Sequence, residues 1–142
     1  MGFQADVRAA AVSLLTDYAT TESVQLQVYP ARPRSIYPPT AFVDSITETV
    51  EYPTSLRQRR PQVTVIVVHA LYDGLEAATQ KDEFVDGFLD YVDARYHEAG
   101  ANTMFAAVST SDIPDWVPDW FPPDQRKTYY ATEITLEGRA LG

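Results

Sequence analysis

The sequence predicts an α+β domain in which a mostly antiparallel sheet of about five strands carries two helices on one face. Two segments repeat apolar residues at helical spacing, and five shorter ones alternate apolar with polar residues or are rich in β-branched residues. Their order is helix, three strands, helix, two strands, with short connections that favour hairpins. A chain of 142 residues is sized for a single domain, so we predict one domain over residues 1–142.

The two helices are predicted over residues 3–18 and 76–97. The first carries apolar side chains at helical spacing and has Asp6 in its first turn. The second has an apolar stripe from Phe84 to Tyr96, and it is followed by Gly100, a residue type that often ends helices. Both stripes are one-sided, as expected for helices that pack on a sheet.

The five strands are predicted over residues 24–29, 40–52, 62–72, 103–110 and 127–138. The third strand is apolar on both faces, which is typical of a central strand. Hairpins are expected between the first three strands, and the second hairpin forms an arm near residues 50–62.

The second predicted strand contains acidic residues where an apolar face is expected. Simple alternation places Phe42, Ile46 and Val50 on the same face as Asp44 and Glu48. Either a β-bulge or an incompletely covered face would accommodate these carboxylates.

The stretch IPDWVPDWFPP contains both tryptophans and four of the ten prolines of the chain. Because proline removes a backbone donor, this region is predicted as a loop over residues 111–126 rather than as a helix or a central strand. In one interpretation, Trp116 and Trp120 form a platform for a sugar, and Asp115 and Asp119 supply hydrogen bonds. In the other, the loop is an adhesive segment that packs over its own sheet or against a neighbouring subunit.

Composition excludes several classes of function. A net charge of −9 argues against a protein that grips nucleic acid through its phosphates. The absence of cysteine excludes disulfides, thiolate metal sites and cysteine nucleophiles, and it suits a reducing cytoplasm. No apolar stretch approaches the ~18–20 residues of a membrane span, and the N-terminus does not resemble a signal peptide. We therefore expect no membrane association.

The sequence contains no recognisable catalytic or cofactor motif. Its two histidines are His69, within a strand, and His97, near a helix end. We expect His69 to be a strand residue hydrogen-bonded to a neighbour rather than a general base. There is no glycine-rich phosphate loop and no metalloprotease or hydrolase motif. The chain is therefore predicted not to be an enzyme and to bind neither a cofactor nor a metal.

Four aspartates form the clearest charge pattern. They are separated by four, four and three residues on the second predicted helix, so they form one stripe along it. A straight stripe does not give the convergent oxygens that Ca²⁺ needs. It is either a solvated helix face or a surface that repels polyanions, and it consists of Asp82, Asp86, Asp90 and Asp93.

The arginines fall into two groups in sequence. Arg32 and Arg34 lie in the first predicted connection, and Arg57, Arg59 and Arg60 lie in the second. These connections leave opposite ends of one strand, so the two groups are expected at opposite poles of the sheet. Such an arrangement suits a subunit that touches acidic partners above and below, and it is also compatible with ordinary solubilising charges.

The order of these segments resembles that of the tail terminator proteins of long-tailed bacteriophages. The resemblance spans nearly the whole chain, and no single motif is diagnostic. It begins with the N-terminal helix and continues through VQLQVYPARPRSIYPPTAFVDSI, TVEYPTSLRQRRPQVTVIVVHALYDG, QKDEFVDGFLDYVDARYHEAGANT and STSDIPDWVPDWFPPDQRKTYYATEITLEG.

The resemblance implies a non-enzymatic virion protein, assembled in the host cytoplasm. Its subunits would form a ring, hexameric by the resemblance, that caps the tail tube and joins it to the head connector. Expected partners are other copies of the chain, the tail-tube protein and the connector or stopper protein. DNA would pass through without specific binding. Other neck proteins, namely connector, stopper and tail completion subunits, share this scaffold and are the alternative; a small carbohydrate-binding module is a more remote one.

The site residues follow from the loops and the charge pattern as a hypothesis, since the resemblance assigns no individual contact. The aspartate stripe would line the channel, where it would repel phosphates and let DNA slide. Residues expected at the interfaces between subunits or with the tube and connector are Arg32, Arg34, Arg57, Arg59, Arg60, Trp116, Trp120 and Phe121.

Overall fold

Two helices and five strands follow one another in the order expected from the sequence. The structure, a computed structural model, describes residues 3–52, 58–71, 74–97 and 105–138. The predicted α+β fold, with a five-stranded and mostly antiparallel sheet, is confirmed. The elements are α1 (Phe3–Thr21), β1 (Gln27–Tyr29), β2 (Thr40–Glu51), β3 (Gln58–Leu71), α2 (Gly74–His97), β4 (Phe105–Trp116) and β5 (Tyr129–Gly138).

The strand order across the sheet is β1-β2-β3-β5-β4, and only the β1–β2 pair is parallel. The connection between β1 and β2 is therefore not the hairpin that the sequence suggested, and Arg32 and Arg34 do not lie in a hairpin loop. Parallel neighbours require a connection that crosses a face of the sheet. Residues 30–39 make this crossing, and Pro33 and Ile36 are buried along it.

Both helices pack on the same face of the sheet, here called the helix face. Tyr18 of α1 meets the rings of Phe84 and Phe88 of α2 edge-on, at centroid distances of 5.5 and 5.4 Å. Gly87 permits this approach, because a Cβ there would lie 2.7 Å from the Tyr18 hydroxyl oxygen. Fully buried members of this core include Val7, Leu15, Val63, Val65, Val67, Phe88, Ile134 and Leu136.

The opposite face, here called the loop face, is covered by irregular segments. They are the 30–39 connection and the loop between β4 and β5. Beneath them lies a smaller core of Ile36, Phe42, Ile66, Val68, Tyr129 and Ala131.

A β-bulge at Asp44 changes which residues of β2 face which core. Val43 is opposite Val65 and Ser45 is opposite Thr64, so Asp44 is the extra residue. Of the two explanations that the acidic residues left open, the bulge is the one observed. It places Phe42 in the loop-face core and Ile46 against the helix-face core. The expectation that these two side chains share a face was wrong, because it assumed uninterrupted alternation.

Strands β2 and β3 form a two-stranded hairpin arm, in which residues 48–51 pair with residues 58–61. Within the described residues, no strand pairs with residues 58–61 on the other side of β3, and β5 is described as far as Gly138, where a Cβ would overlap the ring of Pro61. The arm predicted near residues 50–62 corresponds to this part, and its tip, residues 53–57, lies outside the described residues.

Strand β4 is longer than the sequence suggested. It continues through Pro114 to Trp116, whereas a loop was expected from residue 111 onward. Because β4 is an edge strand, the missing N–H of Pro114 breaks no ladder that the sheet requires. A register shift between Ile113 and Trp116 relieves the remaining mismatch.

Candidate functional site

The tryptophan loop packs over its own sheet. The ring centroids of Trp116 and Trp120 lie 6.0 and 5.4 Å from that of Phe42, which is fully buried. The indole N–H of Trp120 donates a hydrogen bond of 3.0 Å to the carbonyl oxygen of Pro33. Of the arrangements left open by the sequence, packing on the same chain is the one observed.

The surroundings of Trp120 leave little room for a stacked sugar. The guanidinium of Arg32 sits 5.0 Å from its ring centroid, and the rings of Phe42 and Phe121 contact it at 5.4 and 5.5 Å. A carbohydrate platform needs an accessible aromatic face, whereas this indole is packed among neighbours of the same chain. The geometry therefore disfavours the carbohydrate-binding interpretation.

Arg126 fixes the tryptophan loop through two hydrogen bonds to its backbone. Its Nε donates to the carbonyl oxygen of Phe121 at 2.8 Å, and its second terminal nitrogen donates to that of Asp119 at 2.7 Å. These two bonds satisfy backbone acceptors in a segment that belongs to no helix or strand. The loop is thus fixed by side-chain bonds to its backbone as well as by its prolines.

The two arginine groups lie at opposite ends of β2, as expected, but Arg32, Arg59 and Arg60 are paired within the chain. Arg32 Nε lies 2.8 Å from Asp44, and Arg60 Nε lies 3.4 Å from Glu51. Arg59 makes a two-pronged contact with Glu48, at 2.8 and 2.7 Å. Arg34 is exposed, and Arg57 lies outside the described residues. Sequence reasoning missed these pairs because they depend on the strand register.

The acidic stripe lies on the solvent side of α2. Asp82, Asp86, Asp90 and Asp93 are all exposed, opposite the face that carries Phe84 and Phe88. Asp82 is in contact with the ammonium group of Lys81.

A polar network that the sequence did not predict links α2 to the β5–β4 edge. Lys81 Nζ lies 3.0 Å from an oxygen of Asp112, and the Tyr130 hydroxyl lies 3.4 Å from the same carboxylate. Hydrogen bonds to Asp82 and then to Asp112 raise the pKa of Lys81. Lys81 and Asp112 are 31 positions apart, so only the packing of the helix on the sheet reveals the contact.

His69 behaves as the sequence predicted, as a strand residue bonded to a neighbour. Its Nε2 lies 2.8 Å from Thr132 Oγ1, and its ring meets that of Phe84 at 5.3 Å. Burial, with a smaller contribution from Lys81, lowers its pKa to about 4, so the imidazole is neutral at pH 7. Thr132 is completely buried, so a substrate cannot reach its hydroxyl. The pair therefore holds strands together rather than forming a nucleophile and its base.

An open cleft of about 350 Å³ lies beside His69, between the end of α1 and the start of α2. Aromatic and aliphatic side chains form most of its wall, and its polar members are Tyr18, His69, Gln80 and Glu83. Among the described residues there is no cluster of three or more metal-ligating side chains. The cleft is lined by Tyr18, Val24, Pro39, His69, Gln80, Glu83 and Phe84.

Large apolar side chains are exposed at both ends of the sheet. At the arm end, where the hairpin arm projects, Val50 and Tyr52 are exposed, Tyr52 to 67%. The other end, here called the loop end, is where β2 starts and β3 finishes, and Leu71, Tyr129 and Trp116 form one row there. The sequence reasoning did not single these residues out, because exposure depends on what covers each strand end. The exposed set at the loop end is Tyr37, Leu71, Leu75 and Val117, with Leu75 at 84%.

Comparison of the chain with models of known protein families finds no match, and comparison with curated proteins finds none either. Neither of the described helices combines the length and apolar character needed to cross a membrane.

Proposed function

We propose that the chain is a structural subunit of a bacteriophage neck that forms a ring, caps the tail tube and joins it to the head connector. Its location would be the virion, after assembly in the host cytoplasm. The partners would be further copies of the chain, the tail-tube protein and the connector or stopper protein. The chain would act without a cofactor and without catalysis.

The observation that carries this proposal is the exposure of large apolar side chains at the two opposite ends of one sheet. A subunit that stands between two different partners needs a docking surface at each end. An exposed apolar surface is the kind of surface that a protein partner covers. Tyr52 at the arm end and Leu75 at the loop end are the most exposed members of the two sets.

The remaining features of the chain are consistent with an assembly role. The element order on which the resemblance rests is the order in the fold. The tryptophan loop and the arginines, expected at interfaces, are largely engaged within the subunit. Under the proposal, Trp116, Trp120 and Phe121 support the loop end from beneath, and Val117 and Leu71 make the contact.

The acidic stripe on α2 would face the channel of the ring. Repulsion between its carboxylates and DNA phosphates would let the genome slide without adhering. A variant with Asp82, Asp86, Asp90 and Asp93 all changed to Asn should assemble normally but eject DNA more slowly, most clearly at low salt. Normal ejection at both low and high salt would remove this part of the proposal.

Native mass spectrometry and light scattering of the chain, alone and with reconstituted tail tubes, test the proposed function. The expected result is a ring, hexameric by the resemblance, either in solution or on the tube end. A chain that stays monomeric and ignores tubes contradicts the proposal. Binding to the connector but not to the tube would identify a different neck subunit.

Two charge substitutions test the two ends separately. Leu75→Asp changes the loop end and Tyr52→Asp the arm end, and both side chains are exposed, so neither should unfold the subunit. One variant should lose tube binding, and the other should lose connector joining, each by at least about tenfold. Ser13→Asp, at an exposed position on α1, is the matched control. If both end variants bind like the control, the ends are not docking surfaces.

A further inference from the structure

The sheet has two open backbone edges on opposite sides. Strand β1 covers β2 only from Thr40 to Phe42, so the rest of β2 lacks a strand neighbour on that side among the described residues. On the other side, the described part of the chain pairs no strand with the outer edge of β4. Unpaired strand edges carry free N–H and C=O groups that readily accept another strand.

The two open edges lie at the same level of the sheet. Val108 of β4 is connected across β5 and β3, through Leu136 and Val63, to Ile46 of β2. The neighbouring row runs from Ala107 to Thr47 in the same way, through Glu137 and Gln62. The open part of β2 and the first half of β4 therefore lie at the same position along the strand direction, on opposite edges of the sheet.

The strand directions suit a head-to-tail contact between copies. From β2 through β3 and β5 to β4, every neighbour is antiparallel, so β2 and β4 run in opposite directions. A rotation about an axis parallel to the strands keeps the direction of each strand and its position along that axis. It therefore brings the β2 edge of one copy against the β4 edge of the next as an antiparallel pair.

The charges on the two edges permit this approach although the chain carries −9 overall. The first half of β4, FAAVSTS at residues 105–111, contains no charged residue. On the β2 side, Glu48 and Glu51 are compensated by Arg59 and Arg60. Edge strands that avoid pairing usually display uncompensated charges, and neither edge does so in this stretch.

We propose that copies of this chain join through strand pairing, the open edge of β2 in one subunit adding to the β4 edge of the next, so that the sheets become continuous around a ring. The proposal rests on the ring of the proposed function and specifies its lateral contact. Thr47 lies near Ala107 of the next subunit. Both side chains are exposed and point away from the helix face, since their neighbours Ile46 and Val108 pack on it.

Cysteine cross-linking tests the pairing, because the natural chain has no cysteine. A Thr47→Cys, Ala107→Cys double variant should give, on oxidation, a ladder of covalent oligomers up to the full ring that collapses on reduction. Directly opposite residues of antiparallel strands lie within disulfide reach. To allow for a shift of register, Thr47→Cys is also combined with Ser109→Cys and with Ser111→Cys, which lie on the same face. The control double variant joins Thr47→Cys with Asp90→Cys on the outside of α2.

A ladder from one of the edge pairs, and none from the α2 control, supports the pairing. Rings that form without a ladder from any edge pair overturn it and leave the proposed function intact. A ladder of equal strength from the control also overturns it, because random collision would explain both. A chain that forms neither rings nor ladders, even on tail tubes, overturns both proposals.

Opposed charges give a second readout that does not rely on oxidation. An Ala107→Glu, Thr47→Glu variant places like charges across the contact and should weaken ring formation by about tenfold. An Ala107→Glu, Thr47→Lys variant should restore it. Circular dichroism of the monomers separates loss of pairing from loss of folding. Equal assembly of the two variants would contradict the inferred edge contact.

Discussion

The two faces of the sheet are covered by different kinds of structure. The helix face is covered by two amphipathic helices whose apolar side chains repeat at regular spacing. The loop face is covered by proline-rich segments with no periodicity, held by bonds such as those of Trp120 to Pro33 and of Arg126 to Phe121. The helix face is stabilised by the apolar area that its helices bury, whereas the loop face combines a smaller core with a few specific contacts that fix a loop.

The largest expected effect is on the helix face. Phe88 is fully buried and contacts Tyr18 and Phe84. Phe88→Ala should lower the free energy of unfolding by about 3–5 kcal/mol in urea titrations, because it leaves a cavity in a close-packed core. The half-buried Val85→Ala on the same helix is the control, expected to lose about 1 kcal/mol. Similar losses for the two variants would mean that this core is not the main source of stability.

The pH dependence of the helix face should be dominated by His69. Its folded pKa of about 4 lies below the unfolded value of 6.5, so the unfolded chain binds more protons between these values. Stability should therefore be complete above pH 6.5 and fall as the pH drops toward 4, by up to about 3 kcal/mol from this group.

Urea unfolding at several pH values, with the wild type and His69→Gln, isolates the contribution of this histidine. The glutamine amide can replace the bond of the imidazole to Thr132 but does not titrate. The difference in unfolding free energy between the two proteins should change between pH 4 and 6.5 and be constant above. A constant difference throughout would refute the buried, neutral state of His69.

On the loop face, Trp120→Ala should lower the free energy of unfolding by about 2 kcal/mol. This loss is smaller than that expected for a fully buried indole, because the side chain of Trp120 is only half-buried. The sheet and helices should remain, and hydrogen exchange should accelerate mainly in residues 30–39 and 117–126. Trp120→Phe keeps an aromatic ring but loses the bond to Pro33, with an expected cost of about 1 kcal/mol. Global unfolding of the alanine variant would show that the two faces are not independent.

The smallest effect is expected at Arg126. Arg126→Met removes two hydrogen bonds from an exposed site and should lower stability by about 1 kcal/mol, with faster exchange confined to the loop. Arg34→Met, at another exposed arginine on the same face, should change stability by less than about 0.5 kcal/mol. Equal effects of the two variants would mean that the loop is held by its prolines and aromatic rings alone.

The contrast between the faces also explains what the sequence could predict. Periodicity identified both helices and the central strand, because these features depend on spacing along the chain, and the order of the elements indicated that the helices share one face. The acidic residues of β2 indicated either a bulge or an incompletely covered face, and the bulge at Asp44 is one of these two outcomes. The parallel pairing of β1 was not foreseeable, because prolines at residues 30–39 are as compatible with a hairpin as with a crossing segment.

The candidate interface residues were less predictable than the fold. Arg59 and Arg60 stood out as positive charges, but their carboxylate partners are set by the strand register, which the sequence does not state. The open edges of β2 and β4 follow from strand order alone. The exposure of Leu75 depends on what lies beside the helix start, so no local pattern distinguishes it from a core leucine.

The bulge at Asp44 also has a consequence for insertions and deletions. The residues before it and those after it obey opposite parities, so the odd-numbered Val43 and the even-numbered Ile46 both pack in the helix-face core. Deleting Asp44 would restore plain alternation while leaving Ser45 opposite Thr64 and Ile46 opposite Val63, so the outer half of β2 would keep its faces. A substitution at Asp44 removes only its contact with Arg32, whereas deleting a residue beyond the bulge, such as Thr47, would move every later side chain of the strand to the opposite face. Homologous chains should therefore vary in residue type at position 44, and single-residue deletions in this strand should fall at the bulge.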